Sequence, residues 1–125
     1  MNSEEIIAIL QKEFPGKNII QLPLDNPSEI ICEVEPTANH PEISSIIAVI
    51  DESKPHYHLK STETYFIEKG ELHLFVDGRK YLLREGDTYV VEPGRVHWAE
   101  GEATRVRVNS SPGWTQEDHI LIAKI

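Results

Sequence analysis

Residues 56–70 read HYHLKSTETYFIEKG, and this stretch decides how the chain is interpreted. His56 and His58 are separated by one residue, a spacing that puts both imidazoles on the same face of a strand. Glu63 opens the next predicted strand, where Tyr65 and Ile67 share its face. Because the intervening turn can return that face toward the histidines, a carboxylate can join the two imidazoles. A His-x-His pair alone is also found among exposed strand residues that bind no metal.

A second stretch, residues 86–97, reads GDTYVVEPGRVH and supplies a third imidazole. A strand followed by a Pro-Gly turn can bring His97 to the same point from a neighbouring strand. Three nitrogens and one oxygen suit iron, manganese, nickel, cobalt, copper or zinc, and they suit calcium or magnesium poorly. His56, His58, Glu63 and His97 are therefore the candidate ligands of one divalent transition metal.

The remaining sequence is that of a small β-protein with one helix. Residues 2–14 have an N-cap candidate, Asn2, and apolar residues at helical spacing, which predict an amphipathic helix that ends at Pro15-Gly16. Beyond residue 17, short runs rich in Ile, Val, Tyr and Thr are separated by turn residues. Strands are predicted near residues 18–22, 29–35, 44–51, 54–58, 63–69, 71–76, 79–83, 87–91, 96–99, 104–110 and 119–124. Strands of this length and spacing favour a sandwich or a barrel.

The length and composition suit one globular domain. The chain has 125 residues, of which 39% are hydrophobic and 26% charged, as in ordinary globular proteins. We divide it into a helix, residues 1–16, that packs on a barrel, residues 17–125. Residues 72–83 are predicted to form a hairpin, since Asp77-Gly78 accepts the positive φ angles of a two-residue turn.

The charge balance and the apolar runs bear on partners and location. A net charge of -9, from 21 acidic and 12 basic residues, repels a polyanion, so we expect no nucleic-acid partner. No apolar run is long enough to cross a bilayer and the first residues are acidic, so we expect no membrane association and a cytoplasmic location. The single cysteine, Cys32, lies in an apolar run, excludes an internal disulfide and is expected to be buried.

Together the two histidine-containing stretches resemble the motifs of the cupin superfamily. The first cupin motif is usually written G-x5-H-x-H-x(3,4)-E-x6-G, and residues 56–70 match everything after its opening glycine. The second is usually written G-x5-P-x-G-x2-H-x3-N, and residues 86–97 keep its glycine and histidine spacing. The chain is identified as a small single-domain member of that superfamily.

The departures from these motifs concern turns and remove no ligand. Ile50 stands where the opening glycine is expected, Pro93 comes one place late, and Gly101 replaces the closing asparagine. The resemblance implies an all-β fold, a double-stranded β-helix with a jelly-roll-like barrel and one short N-terminal α-helix. It also implies a metal inside the barrel near one mouth, held by the four candidate ligands.

Five further residues are candidates for a substrate pocket. Tyr65 and Trp98 are close to the ligands in sequence, where aromatic rings can form a stacking wall, although such rings are usually core residues. Arg107 can bind an anionic group. Trp114 and His119 belong to a Pro-rich stretch, residues 110–119, of a kind found near the mouth or along the surface of small cupins. His73, in contrast, is expected on the outer face of its hairpin.

Several functions remain open. The first hypothesis is an enzyme that acts on a small oxygenated molecule, such as a sugar, keto acid or phenol, by isomerase, lyase or dioxygenase chemistry, with Glu63 as both ligand and catalytic base. The alternatives are a metal-dependent or sugar-binding module without turnover and a storage or structural cupin with a vestigial site. No phosphate-binding loop or nucleophile elbow is present. A small-molecule ligand is the expected partner, and strands within residues 18–35 are expected to form a homodimer.

Overall fold

A computed structural model of the chain describes residues 1–122, in which one helix and ten strands are found. In chain order they are α1 (Ser3–Glu13), β1 (Ile19–Leu22), β2 (Glu29–Glu35), β3 (Ser44–Glu52), β4 (His56–Tyr57), β5 (Thr62–Lys69), β6 (Leu72–Val76), β7 (Arg79–Leu83), β8 (Thr88–Val91), β9 (His97–Ser111) and β10 (Ile120–Leu121). The all-β class with one short helix is as predicted. No helix described in residues 1–122 is long and apolar enough to cross a membrane.

The strands form one curled antiparallel sheet whose two halves face each other. One half has the order β1-β2-β3-β9-β5-β8. The other has the order β7-β6-β9-β4-β10. Strand β9 takes part in both, because residues 97–101 pair with β6 and residues 104–111 lie between β3 and β5. This arrangement is the predicted double-stranded β-helix.

The long strand β9 corrects the prediction of two strands at residues 96–99 and 104–110. The strand continues through the intervening residues, with pairs on either side of them, Ala103 at a φ of 48° and a register shift between Ile50 and Glu52 on the neighbouring strand. A local irregularity of this kind bends a strand without ending it. The last predicted strand, residues 119–124, extends outside the described residues, and its described part is β10.

The predicted hairpin is confirmed. Strands β6 and β7 are joined by Asp77 and Gly78, whose φ angles of 49° and 82° are those of a two-residue turn with positive φ at both positions. Alternate residues of β6 are buried, and His73 points away from the barrel interior. The same alternation on β5 turns Glu63, Tyr65 and Ile67 inward, as predicted from their spacing.

Two apolar clusters stabilise the fold. The larger fills the space between the two halves of the sheet and includes Ile31, Tyr65 and Leu74. The smaller lies on the outer face of β2 and β3, where α1 covers it with Leu10. Because the middles of β2 and β3 are covered on both faces, residues 30–32 and 46–50 are apolar without interruption, and Cys32 is buried there as expected.

The N-cap prediction for the helix is also confirmed. The Asn2 side chain accepts a hydrogen bond from the Glu5 N–H at 3.1 Å. At the other end of α1, Glu13 pairs with Arg105 of β9 at 2.7 Å. The helix is therefore fixed to the sheet at its last turn.

Candidate metal centre

The four candidate ligands come from three strands that meet at one end of the barrel. His56 begins β4 and its Cα is paired with that of His97, the first residue of β9. His58 follows β4, and Glu63 is the second residue of β5. Ligand atoms of all four residues lie within 4.8 Å of one another, and all four residues are buried. The structure therefore brings together residues separated by up to 41 positions (97 - 56) in the chain.

Each of the three imidazoles is oriented in the same way, by a backbone carbonyl on its outer side. The contacts are His56 Nδ1 to Lys54 O at 2.7 Å, His58 Nδ1 to Asp118 O at 2.8 Å and His97 Nδ1 to Arg95 O at 2.9 Å. A carbonyl oxygen only accepts hydrogen bonds, so Nδ1 of each ring carries the hydrogen. The lone pair of each neutral ring is then on Nε2, the atom available to a metal.

The contacts between these atoms and Glu63 test whether a metal fits. Oε1 of Glu63 lies 3.0 Å from Nε2 of His58 and 2.9 Å from Nε2 of His97. In a neutral ring whose Nδ1 donates to a carbonyl, Nε2 carries a lone pair and no hydrogen. The Nε2 atom and the Glu63 oxygen are then both hydrogen-bond acceptors, and no hydrogen lies between them. The Nε2 atom of His58 is buried, and its short contact with the carboxylate lacks hydrogen-bond geometry. A cation shared by Nε2 atoms and the carboxylate removes this conflict, so the donor set fits a divalent transition metal.

The pKa values of His56 and Glu63 are shifted toward the protonation states that such a metal requires, whereas at His58 the effect of burial is outweighed by the contact with Glu63, which raises the pKa of that ring. Burial, together with the nearby His97 and His119 rings, lowers the pKa of His56 to about 3, so this ring is neutral at pH 7. Burial raises the pKa of Glu63, but contacts with His58 and His97 outweigh it and hold that pKa well below its ordinary range. Neutral imidazole and ionised carboxylate are the forms that bind metals.

A small cavity lies beside His56 and Glu63 and shares part of its lining with an outer groove. The inner cavity has a volume of about 20 Å³ and is lined in part by His56, Glu63 and Tyr65. The outer groove has a volume of about 220 Å³. Glu29, Trp114 and His119 line both. Two larger cavities, of about 440 and 470 Å³, touch none of the four ligands, so size does not identify the functional site here.

Three of the five predicted pocket residues line this site. Tyr65 is buried, and its ring lies edge-on to the His97 ring at 6.1 Å between centroids. Trp114 lies between the groove and the inner cavity, as does His119, whose ring stacks on that of His56 at 4.2 Å.

Trp98 and Arg107 do not line it. Trp98 is next to an inward-facing histidine, so strand alternation turns its ring outward, where it stacks on Phe75 at 3.9 Å. Arg107 is likewise on the outer face of β9, where its guanidinium contacts Glu68 at 3.0 Å and the Ser45 hydroxyl at 3.1 Å. Within residues 1–122, no arginine lines the inner cavity or the groove.

Two residues at the site were not predicted. Glu29 begins β2, and burial together with the Glu63 charge raises its pKa to about 7. Its alternation with inward-facing Ile31 was a usable signal. Asp118 is buried, and its carboxylate accepts hydrogen bonds from the backbone of residues 59–61. Nothing in the local sequence indicates that contact.

The other two histidines lie away from the ligands. His73 is on the outer face of β6, opposite Glu100 in the strand pairing. His40 is exposed in the turn before β3.

A family comparison agrees with the fold and the ligand positions. The model of the cupin domain matches residues 44–108, which is more than half of the chain and includes all four candidate ligands. The chain belongs to the cupin family. Among curated proteins, no relative of this cupin is found.

Solved structures similar to this cupin share its fold at low sequence identity. A variant of PAC13 from Streptomyces with uridine has a TM-score of 0.76 and 10% identity, over 90% of this chain and 89% of that one. Pac13 is described as a nucleoside dehydratase. An RmlC-like cupin from Shewanella frigidimarina has a TM-score of 0.64 and 22% identity, over 82% of this chain and 88% of that one. The polyketide cyclase RemF from Streptomyces resistomycificus has a TM-score of 0.64 and 13% identity, over 78% of this chain and 73% of that one.

Proposed function

We propose that this cupin binds one divalent transition metal through His56, His58, Glu63 and His97. The observation that carries the proposal is the shared orientation of the three rings, whose Nδ1 atoms all contact backbone carbonyls, together with the approach of the Nε2 atoms of His58 and His97 to one carboxylate. Iron, manganese, nickel, cobalt, copper and zinc all suit this donor set. When bound, such a metal polarises a carbonyl or hydroxyl oxygen and acidifies a bound water.

We further propose that the cupin is an enzyme acting on a small oxygenated organic molecule by isomerase, lyase or dioxygenase chemistry. The groove supports a small substrate, since its volume is about 220 Å³ and it combines apolar residues such as Leu22 and Trp114 with charged Glu29, Glu52 and Lys54. Two neighbours of the same fold, a nucleoside dehydratase and a polyketide cyclase, act on molecules of that general kind. In this scheme Trp114 packs on the substrate, and Glu63 or Glu29 accepts a proton.

One observation favours the alternative, a metal-dependent binding module without turnover. The inner cavity, about 20 Å³, has room for roughly one water molecule. Trp114 and His119 line both spaces, so in our proposal a substrate larger than a water molecule displaces one of these side chains to reach the ligands. Proton exchange next to a sugar carbonyl, or dioxygen consumption with phenols and diketones, would support the enzyme. Micromolar binding without turnover across the same panel would support the module.

The metal proposal is tested by elemental analysis of protein purified without a histidine tag. His56→Ala and His97→Ala should each lose bound metal and thermal stability, because each removes one of four donors. His73→Ala is the matched control, since it removes a histidine from the outer face and should keep the metal content of the unmodified protein. Equal metal content in all three variants would refute the assignment.

The oligomeric state and location are also proposals. Strand β1 pairs only with β2 within residues 1–122, so its other edge has backbone groups available to a second copy. We propose a homodimer formed through residues 18–35, and light scattering that gives a monomer at high concentration would overturn it. A cytoplasmic location is proposed from the sequence and is testable by cell fractionation.

A further inference from the structure

The turn that connects His58 to Glu63 is held by a residue far away in the chain. Oδ1 of Asp118 accepts a hydrogen bond from the Leu59 N–H at 2.9 Å, and Oδ2 accepts one from the Ser61 N–H at 3.1 Å. The Lys60 N–H, at 3.2 Å, is shared by both oxygens. Three consecutive amides therefore converge on one buried carboxylate. Because this turn joins two of the four metal ligands, the carboxylate fixes their separation.

The same residue orients one of the rings directly. The backbone oxygen of Asp118 accepts the Nδ1–H of His58 at 2.8 Å. The His58 side chain is only 2% exposed, so water cannot easily replace this partner. Asp118 thus controls both the rotation of the His58 ring and the path of the chain that follows it.

The residues next to Asp118 contact the other member of the His-x-His pair. The His119 ring stacks on the His56 ring with an angle of 13° between the planes. Strand β10 pairs with β4, which contains His56. Displacement of Asp118 would therefore loosen the support of both histidines, while His97 and Glu63 keep their places in β9 and β5.

We propose that Asp118 is a positioning residue of the metal centre, which it serves by holding His58 and the 59–61 turn. This inference rests on the proposed metal site. Outer-shell partners of metal-binding histidines typically contribute 10- to 100-fold to metal affinity, because they fix the tautomer and the ring orientation. In this proposal the carboxylate acts through the backbone amides of the residues that follow His58, and it does not bind the metal itself.

The test compares three variants in the full chain, with Co²⁺ as the probe. Asp118→Ala should lower Co²⁺ affinity by about 10- to 100-fold in chelator competition and alter the Co²⁺ visible spectrum. The reason is that the 59–61 turn loses its carboxylate partner, and the backbone oxygen of residue 118, which Ala retains, is no longer held in place beside His58. Asp118→Asn should recover part of both, because its amide oxygen still accepts a backbone N–H. Glu117→Ala is the matched control, an exposed acidic neighbour, and should leave affinity and spectrum unchanged.

The outcomes separate this inference from the proposed function. If unmodified protein binds no Co²⁺, the metal proposal itself fails. If it binds Co²⁺ and folded Asp118→Ala has the same affinity and spectrum, the positioning role is refuted. If Asp118→Ala does not fold, the Co²⁺ affinity and visible spectrum of Asp118→Asn are compared with those of the unmodified protein, and equal values refute the positioning role. A measurement on the unmodified protein adds a further criterion: Zn²⁺ should slow hydrogen exchange at the 59–61 amides, and unchanged exchange would contradict the role.

Discussion

Glu29 should make the stability of the metal-free protein depend on pH. Burial and the Glu63 charge raise its pKa from 4.5 to about 7. A carboxyl whose pKa is raised by folding is protonated in both states below its unfolded-state pKa, where the free energy of unfolding is at its full value. That free energy falls as the pH rises through the folded-state pKa, because the charged form is disfavoured in the native state. Glu29→Gln cannot ionise and removes the loss. Each pKa unit corresponds to about 1.4 kcal/mol, which gives about 3 kcal/mol here. Because the side chain keeps some solvent contact, we expect about 1–2 kcal/mol.

The assay is urea unfolding at several pH values between 4 and 8.5, with EDTA present to remove metal. The difference in unfolding free energy between Glu29→Gln and the unmodified protein should be constant below pH 4.5 and grow in favour of the variant up to about pH 8. Glu63 stays ionised across this range, since its pKa is held well below the ordinary value. Glu35→Gln, on the exposed end of the same strand, controls for the loss of one acidic group. A difference that does not change with pH would refute the burial of a raised-pKa carboxyl at this position.

Two further predictions concern the metal and the helix. Zn²⁺ or Ni²⁺ at 100 times its dissociation constant should stabilise the protein by about 2.7 kcal/mol, which raises Tm by about 10 °C for a chain of this size. At the same metal concentration, the Tm of Glu63→Gln should rise far less. Equal increases in Tm by scanning calorimetry would argue against Glu63 as a ligand. Ile47→Ala, which opens a cavity under α1, should cost about 2–5 kcal/mol in urea unfolding, and exposed Ile43→Ala should cost little. Similar costs for both would mean that α1 does not cover a packed core.

The clustering of the four candidate ligands could be predicted because two separate stretches of sequence indicate it, each through local spacing. His56 and His58 share a face because side chains alternate along a strand. The spacing of residues within each of the two histidine-containing stretches matches a cupin motif. The curled sheet follows from short strands and turn residues. The same periodicity could have excluded Trp98, which lies one residue from an inward-facing histidine, and Arg107, which lies one residue from buried Val108. Closeness in sequence is a poor guide to a pocket built on strands.

Other features depend on contacts that no local pattern encodes. The Nδ1 contact of His58 reaches a residue 60 positions later, and the carboxylate of Asp118 binds backbone amides, which carry no residue-specific signal. Residues 101–103 read as a break between two strands, yet β9 continues through them, because β3 pairs with β9 on both sides of the irregularity, at Glu100 and at Thr104. Both outcomes are set by tertiary packing, which overrides local preference.

The supports of the four ligands differ in a way that bears on how an ion would be exchanged. His97 and Glu63 belong to β9 and β5, whose residues are paired over most of their length. His56 belongs to a two-residue strand, and His58 lies just beyond it. Two ligands therefore lie on extensively paired strands, and two lie on a short segment with few pairs. Release of an ion would begin at His56 and His58, so its dissociation rate would follow the opening of β4 and not the global unfolding of the barrel.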